Sequence, residues 1–289
     1  MMRSPEEQQI IDRYVMRPKW TIMSKRADFA EIGRKFGIDP VVARVITNRG
    51  ICGDDNINMY LNGGADLLHD PGLMKDLPEG CQIVMDKLEN GSRIRIISDY
   101  DVDGVTSIYI LLLGLRKVWA QIHGARPEEC EIVDYDIPHR IHDGYGIKNR
   151  LIDAAQADGV DTIITCDNGI AAFEQIKYAK TIGMTVIVTD HHQVPYQENG
   201  DGTKTYTLPP ADAVIDNQRI DCQYPFKGLC GAGVACKFIQ YLYRLCGIDE
   251  REIQEFFEVL GLATNCDMMD LVDENRIFAV SYTHLTLPT

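Results

Sequence analysis

The chain has 289 residues, 45% of them hydrophobic, and a formal net charge of −14, enough for a full core in one large domain or two smaller ones. Its nine cysteines include no Cys-x-x-Cys pair, which argues against a disulfide framework or a cysteine zinc site and for a reducing compartment. The longest apolar run, Ser107 to Leu115, is too short to cross a membrane, and the N-terminal MMRSPEEQQIIDR lacks the apolar core of a secretion signal, so a cytoplasmic protein is expected.

Charge is unevenly spread. Residues 1–50 hold 10 Lys/Arg and 6 Asp/Glu, a net of +4, while the rest holds 19 and 37, a net of −18. The acidity alone speaks against a nucleic-acid binder. A basic arm with Arg17, Lys19, Lys25, Arg26, Arg34 and Lys35 beside an acidic body also fits a protein whose acids bind cations while its arm meets phosphates.

In chain order, residues 1–90 read as a mostly helical segment. It contains helices near Asp28–Phe36 and Pro40–Arg49, the second opened by Asp39 as N-cap and Pro40 as first helical residue, and loops at Asn62-Gly63-Gly64 and Asp70-Pro71-Gly72. From about residue 92, short β-rich runs alternate with helical stretches. Strands are predicted at Arg93–Ser98, Glu131–Tyr135, Thr162–Cys166, Thr185–Thr189 and Ala213–Ile215, with helices near 105–119, 147–157 and 171–182 between them. This alternation predicts an α/β fold with a mostly parallel sheet and helices on both faces, preceded by the helical N-terminal segment. The polar stretch Gln197–Thr207 reads as a loop insertion. A Gly-rich turn and two helices, about 232–246 and 250–263, follow.

Three predicted strands end in acids or histidines: the first runs into Asp99, Asp101 and Asp103, the third into Asp167-Asn168-Gly169, the fourth into Asp190-His191-His192. In an open α/β sheet, ligands bind beyond the carboxyl ends of the strands, so the fold would gather these clusters at one edge. Carboxylates crowded there repel, and bound divalent cations offset the repulsion directly. Oxygen ligands with one or two imidazoles suit Mn²⁺ or Mg²⁺, and a pair of such ions can activate water against a phosphate ester. Asp190 is either a ligand or an orienting partner for an imidazole N–H.

Competing patterns fit less well. Asp99-x-Asp101-x-Asp103-Gly104 begins like a calcium loop, but its twelfth position is Ile110 rather than Glu, and it follows a strand. Asp101-Val102-Asp103-Gly104-Val105 resembles a haloacid-dehalogenase nucleophile motif, but that family's later Ser/Thr and Lys are not clearly present and a His-His pair is foreign to it. His69, His123, His139 and His142 read as surface or loop residues. Glycines in KGLCGAG (227–233) before a helix either cradle a phosphate or make a tight turn.

The order of SDYDVDG (98–104), CDNG (166–169), DHH (190–192) and the later Asp in GLATNCDMMDL (261–271) resembles the four motifs of the DHH superfamily of phosphoesterases. Within it, Asp-Tyr-Asp-x-Asp-Gly, PHRIHDGYG (138–146) and CGAGVA (230–235) resemble the single-strand DNA exonucleases of RecJ type. The resemblance implies two divalent metal ions, Mn²⁺ or Mg²⁺, held by Asp99, Asp101, Asp103, Asp167, His191 and Asp267, with Asp167 bridging. It implies catalytic roles for Asp101, Asp103, Asp167, His191 and His192, and substrate binding by Arg140, His192, Gly231 and Gly233. It also implies 5′-to-3′ hydrolysis of single-stranded DNA in repair and recombination, with a single-strand-binding protein and a helicase as partners. Smaller members, acting on nanoRNA or cyclic dinucleotides, tend to carry His where this chain has Ile97, and non-catalytic scaffolds tend to lose acids that are all present here. The expected organisation is a partly basic helical segment over 1–90, a DHH phosphoesterase domain over 91–280, and a tail over 281–289. The tail, SYTHLTLPT, departs from the family pattern, is not expected to be helical, and looks like translated adapter sequence; the resembled exonucleases continue into further domains.

Overall fold

A computed structural model of the chain describes Thr21 and residues 25–286. Two compact units divide between Leu61 and Asn62. In the first, helices α1 (Phe29–Phe36), α2 (Pro40–Asn48) and α3 (Asp54–Asn62) follow in sequence. Asp28 and Asp39 cap α1 and α2 by accepting from the backbone N–H of Glu31 and Val41, and Pro40 supplies the preset first residue of α2. Of the basic arm, Arg17 and Lys19 lie outside the described residues, and Lys35 is engaged in an ion pair with Asp54.

The second unit holds α4 (Leu77–Glu89), β1 (Ile94–Ser98), α5 (Val102–His123), β2 (Val133–Asp136), α6 (Asn149–Ala157), β3 (Thr162–Cys166), α7 (Phe173–Thr181), β4 (Thr185–Asp190), β5 (Tyr196–Glu198), β6 (Lys204–Tyr206), β7 (Ala213–Asp216), α8 (Gly231–Cys246), α9 (Phe257–Cys266) and α10 (Asp273–Thr286). The compact division thus falls earlier in the chain than the change of pattern near residue 90, because α4 packs on β7. A five-stranded sheet in the order β2-β1-β3-β4-β7 is parallel throughout. Alternate side chains point to opposite faces. Ile163, Val186, Val188 and Val214 meet α6 and α7 in one core. On the other face Ile187 and Ile215 pack against α4, where Gly80 leaves room for them. Gly114 of α5 likewise admits Ile239 of α8, since a Cβ there would lie 2.6 Å from that side chain.

Helix α5 is 22 residues long and apolar enough, by length and composition, to cross a membrane, which a count of consecutive apolar residues misses. It packs on β1, β2 and α8 and is a core helix of this unit.

Three readings need correction. Gln197–Thr207 is not an irregular loop: Tyr196–Glu198 and Lys204–Tyr206 pair antiparallel, and Lys204 sits over the Tyr196 ring at 3.8 Å. The stretch 250–263 is not one helix, because Glu250–Phe256 is a 3₁₀ segment before α9. Residues 281–286 continue α10, for no proline intervenes before Pro288, and the hydroxyls of Ser281 and Thr283 donate back to the carbonyls of Ile277 and Ala279.

A fully buried ion pair ties α8 to α10: Lys237 Nζ lies 2.5 Å from Glu274. Lys237 also donates to the carbonyl of His69, and the Tyr224 hydroxyl and the His69 N–H donate to Glu274, so both carboxylate oxygens are engaged. Removing one partner strands the other charge, at about 3–5 kcal/mol. Glu274→Ala should therefore lower the urea midpoint of unfolding sharply, whereas Lys237→Met combined with Glu274→Leu should recover most of the loss. Chemical denaturation of the three proteins checks this, and equal loss in the double variant would show that the pair is not the source.

Candidate functional site

In the strand order β2-β1-β3, the chain leaves β1 toward one side of the sheet and returns to the other, creating a switch point at the carboxyl ends of β1 and β3. Asp99, Asp101 and Asp103 follow β1, and Asp167 follows β3. The loop after β4 adds His191 and His192, and Asp267, the C-cap of α9, arrives from outside the sheet.

The chain makes these turns with residues suited to them. Asp101 caps α5 by accepting from Gly104 N–H, and a Cβ on Gly104 would lie 2.5 Å from the Asp99 carbonyl oxygen. Asp167 adopts a left-handed φ of 56°, uncommon outside glycine and frequent at functional turns. Gly169 follows at φ 118°, where a side chain would run into Thr165. Asp190 is buried and fully employed: it accepts from the backbone N–H of His191 and Ile170, and its Oδ1 lies 2.7 Å from His192 Nδ1. Of the two roles open to it, orienting the imidazole is the one the hydrogen bonds support.

His191 Nε2 lies 3.1 Å from Asp167 Oδ1, 3.6 Å from Asp103 Oδ2 and 3.8 Å from Asp267 Oδ2. Two sets of ligand atoms, Asp103/His191/Asp267 and Asp167/His191/His192, each fall within 4.8 Å, close enough to share a cation. Hard oxygen donors with imidazole nitrogen match Mn²⁺ or Mg²⁺. Asp99 and Asp101 stand in neither set. Asp99 is buried and accepts from Gly146 N–H at 2.5 Å, and Asp101 is exposed and occupied as a helix cap. Arg140 is also outside both, with its guanidinium 5.5 Å from the Tyr100 ring centre.

The glycines before α8 meet the site differently from the phosphate cradle considered above. Gly231 and Ala232 N–H donate to the two carboxylate oxygens of Asp103, at 2.6 and 2.9 Å. A Cβ on Gly231 would lie 2.7 Å from that of Asp167, so only glycine lets the helix start approach so closely. Those amides are spent on an acid, and Gly233 packs against Leu229. Sequence reasoning missed this anchoring, and it missed Asp216, which ends β7 in register with Asp190. The signal was available: like the other strands, this one runs into an acid.

The crowding is visible in proton affinities. Burial, then Asp103 and Asp101, push the Asp167 carboxyl up to about 10. Burial, then Asp190, push Asp216 up to about 7. Burial also raises Asp99 and Asp267. Burial is also the largest single influence on Asp190, but the His192 hydrogen bond and charge, the Ile170 N–H and the His191 charge together outweigh it and the carboxyl is lowered; the bond to Asp190 raises His192. A carboxyl whose folded pKa exceeds its unfolded value of roughly 3.9 gives stability that is fully present below that value and lost as pH rises through the folded one. With chelator present, the protein should accordingly melt at lower temperature as pH rises from 5 to 9. Asp167→Asn should flatten that decline by at least about 2–4 °C, the shift expected from roughly 1 kcal/mol in a domain of this size. Thermal denaturation across pH reads both slopes, and parallel slopes would remove Asp167 as the source.

Residues 93–264 match the family model described as the DHH family, N-terminal domain. The single-stranded-DNA-specific exonuclease RecJ of Bacillus subtilis is 32% identical over 262 residues, covering 90% of this chain and 30% of that protein. RecJ of Escherichia coli is 31% identical, covering 83% of this chain and 39% of its own length. The chain therefore spans 30% to 39% of the length of these curated relatives. The crystal structure of RecJ from Thermus thermophilus in complex with Mn²⁺ superposes with a TM-score of 0.65 at 25% identity, covering 89% of this chain and 33% of that one.

Proposed function

The chain belongs to the DHH family, and we propose that it is the catalytic part of a RecJ-type exonuclease that hydrolyses phosphodiester bonds of single-stranded DNA with two Mn²⁺ or Mg²⁺ ions. The observation that carries this reading is His191 standing within 4 Å of three carboxylates, Asp103, Asp167 and Asp267, drawn from three separated parts of the chain. The DHH domain would span 91–280, after the helical segment 1–90. Action from the 5′ end, in repair and recombination, follows the resemblance to RecJ-type enzymes, as do a cytoplasmic location and association with a single-strand-binding protein and a helicase.

Asp103, Asp167, His191 and Asp267 would hold the ions, with Asp167 shared, and Asp99 and Asp101 would join once their carboxylates turn from backbone donors. When bound, the ions supply an activated water and neutralise charge on the phosphate. The chain's own residues do the rest. Gly231 and Ala232 keep the Asp103 carboxylate fixed in direction. Asp190 holds the His192 ring and favours its protonated form, leaving the other ring nitrogen as a donor to a phosphate oxygen. Arg140, exposed beside Tyr100, is free to meet the phosphates of a strand. Ile97, fully buried in β1 where small-substrate members carry histidine, favours a polynucleotide substrate over nanoRNA or cyclic dinucleotides. The retained acids disfavour a non-catalytic scaffold.

Two measurements test the reading. Mn²⁺ should raise the melting temperature, since a ligand at 100 times its Kd adds about 2.7 kcal/mol to stability, and Ca²⁺ should raise it less because it prefers more oxygens at longer distance. Mn²⁺-dependent release of nucleotides from a labelled single strand should fall at least a hundredfold in Asp103→Asn and in Asp167→Asn. Full activity in either variant would sink the assignment.

A further inference from the structure

The last strand of the parallel sheet, β7, ends in Asp216, and neither Asp216 nor the residue after it, Asn217, belongs to the two ligand sets around His191. Both side chains are fully buried. One Asp216 oxygen accepts from the Gln218 N–H at 2.6 Å. The other has no hydrogen-bond partner, and neither has the amide oxygen or the amide nitrogen of Asn217. Three of the eight such side-chain atoms among the described residues thus fall on two consecutive positions. Native proteins leave few buried polar atoms unpaired, and those that are unpaired call for a bound water or ion.

Charge narrows the choice. Asp190, in register with Asp216 on the neighbouring strand, is held in its charged form by His192 and by backbone N–H groups, and it repels a second negative charge. Among the described residues no ion pair reaches Asp216. The two basic side chains of the loop that follows are engaged elsewhere: Arg219 with Asp76, Asp221 and the Val214 carbonyl, Lys227 with the Cys222 carbonyl. An ordered water would satisfy the three atoms and leave the repulsion standing. A proton would silence the charge, but it turns an oxygen without a donor into a hydroxyl without an acceptor. A cation answers charge and lone pairs together. One carboxylate oxygen and one amide oxygen offer too little to strip water from Mg²⁺ or Mn²⁺, whereas alkali cations are held by carbonyl-type oxygens.

We propose that Asp216 and Asn217 bind a monovalent alkali cation, K⁺ or Na⁺, through the free carboxylate oxygen of the first and the amide oxygen of the second. The site is distinct from that of the divalent ions. An ion there screens Asp190 from Asp216 and so steadies the carboxylate that orients His192.

Thermal denaturation of this chain tests the site, with EDTA present, chloride constant, and pH at about 8.5, above the value of about 7 that burial and Asp190 give Asp216. Replacing tetramethylammonium by K⁺ or Na⁺ should raise the melting temperature by at least about 2 °C and then saturate, because the ion binds only the folded chain. Asp216→Asn keeps the shape, removes the charge, and should melt alike in all three salts. If that variant does not fold, Asn217→Leu takes its place, with the same expectation. In crystals of the unchanged protein soaked with Tl⁺, which substitutes for K⁺, an anomalous peak should stand beside Asp216. Equal melting of the unchanged protein in all three salts, an alkali-dependent rise that persists in a folded variant, or a Tl⁺ soak that shows only water there overturns the proposal. Neither readout involves nucleic acid, so the nuclease reading stands or falls separately.

Discussion

Carboxylates a few ångströms apart repel by roughly 4 kcal/mol a pair at the effective dielectric of a protein surface. At the carboxyl edge of this sheet Asp99, Asp103, Asp167, Asp190 and Asp216 are all buried, with Asp267 beside them. The chain answers most of them with a fixed donor: Gly146 for Asp99, Gly231 and Ala232 for Asp103, Ile170 and the His191 backbone for Asp190, and Gln218 for Asp216. Asp167 receives only the His191 ring, and its carboxyl is raised to about 10. Among the buried acids of the described residues, Asp167 is the one that backbone donors leave unanswered, at the point where a cation shared between two ligand sets would do the most.

That arrangement explains features of the fold that would otherwise look arbitrary. Gly104, Gly169 and Gly231 stand where a Cβ would collide with Asp99, Thr165 and Asp167 respectively. Each brings a helix start or a turn closer to the acids than an alanine would permit. Helix α8 does so from its N-terminus, where the amides of Gly231 and Ala232 donate to Asp103. The Lys237–Glu274 pair ties α8 to α10, and α9, which lies between them in the sequence, ends in Asp267 as its C-cap.

The sheet was legible because four of its five strands, β1, β3, β4 and β7, are almost wholly buried on both faces and read as short β-branched runs separated by helical stretches. Thr162–Cys166 is found as predicted, and Ile94–Ser98 and Thr185–Asp190 lie within one residue of it. The acids were legible because they end those runs. What escaped was tertiary. Nothing local marks Gly231 as the partner of an acid 128 residues earlier, or Gln175 and Gln193 as lining one cavity. The hairpin after β4 escaped because its pairing is made by polar, exposed residues without apolar alternation. The end of α10 was misread because SYTHLT is rich in β-branched and hydroxyl residues, weak helix formers on their own, here held by packing of Ile277, Phe278 and Ala279.

The ligand atoms around His191 come from positions 103, 167, 191 and 267, and this spacing has a consequence for synthesis. A ribosome adds residues in order, so a nascent chain carrying β1, β3 and β4 can already assemble much of the sheet. It still lacks Asp267, and the amides of Gly231 and Ala232 that steady Asp103 arrive only some forty residues after the histidines. Contacts of such long range form late and slowly. An emerging chain would therefore hold its acids against one another with few donors to separate them, and a divalent ion would meet a complete cage only after α9 had docked.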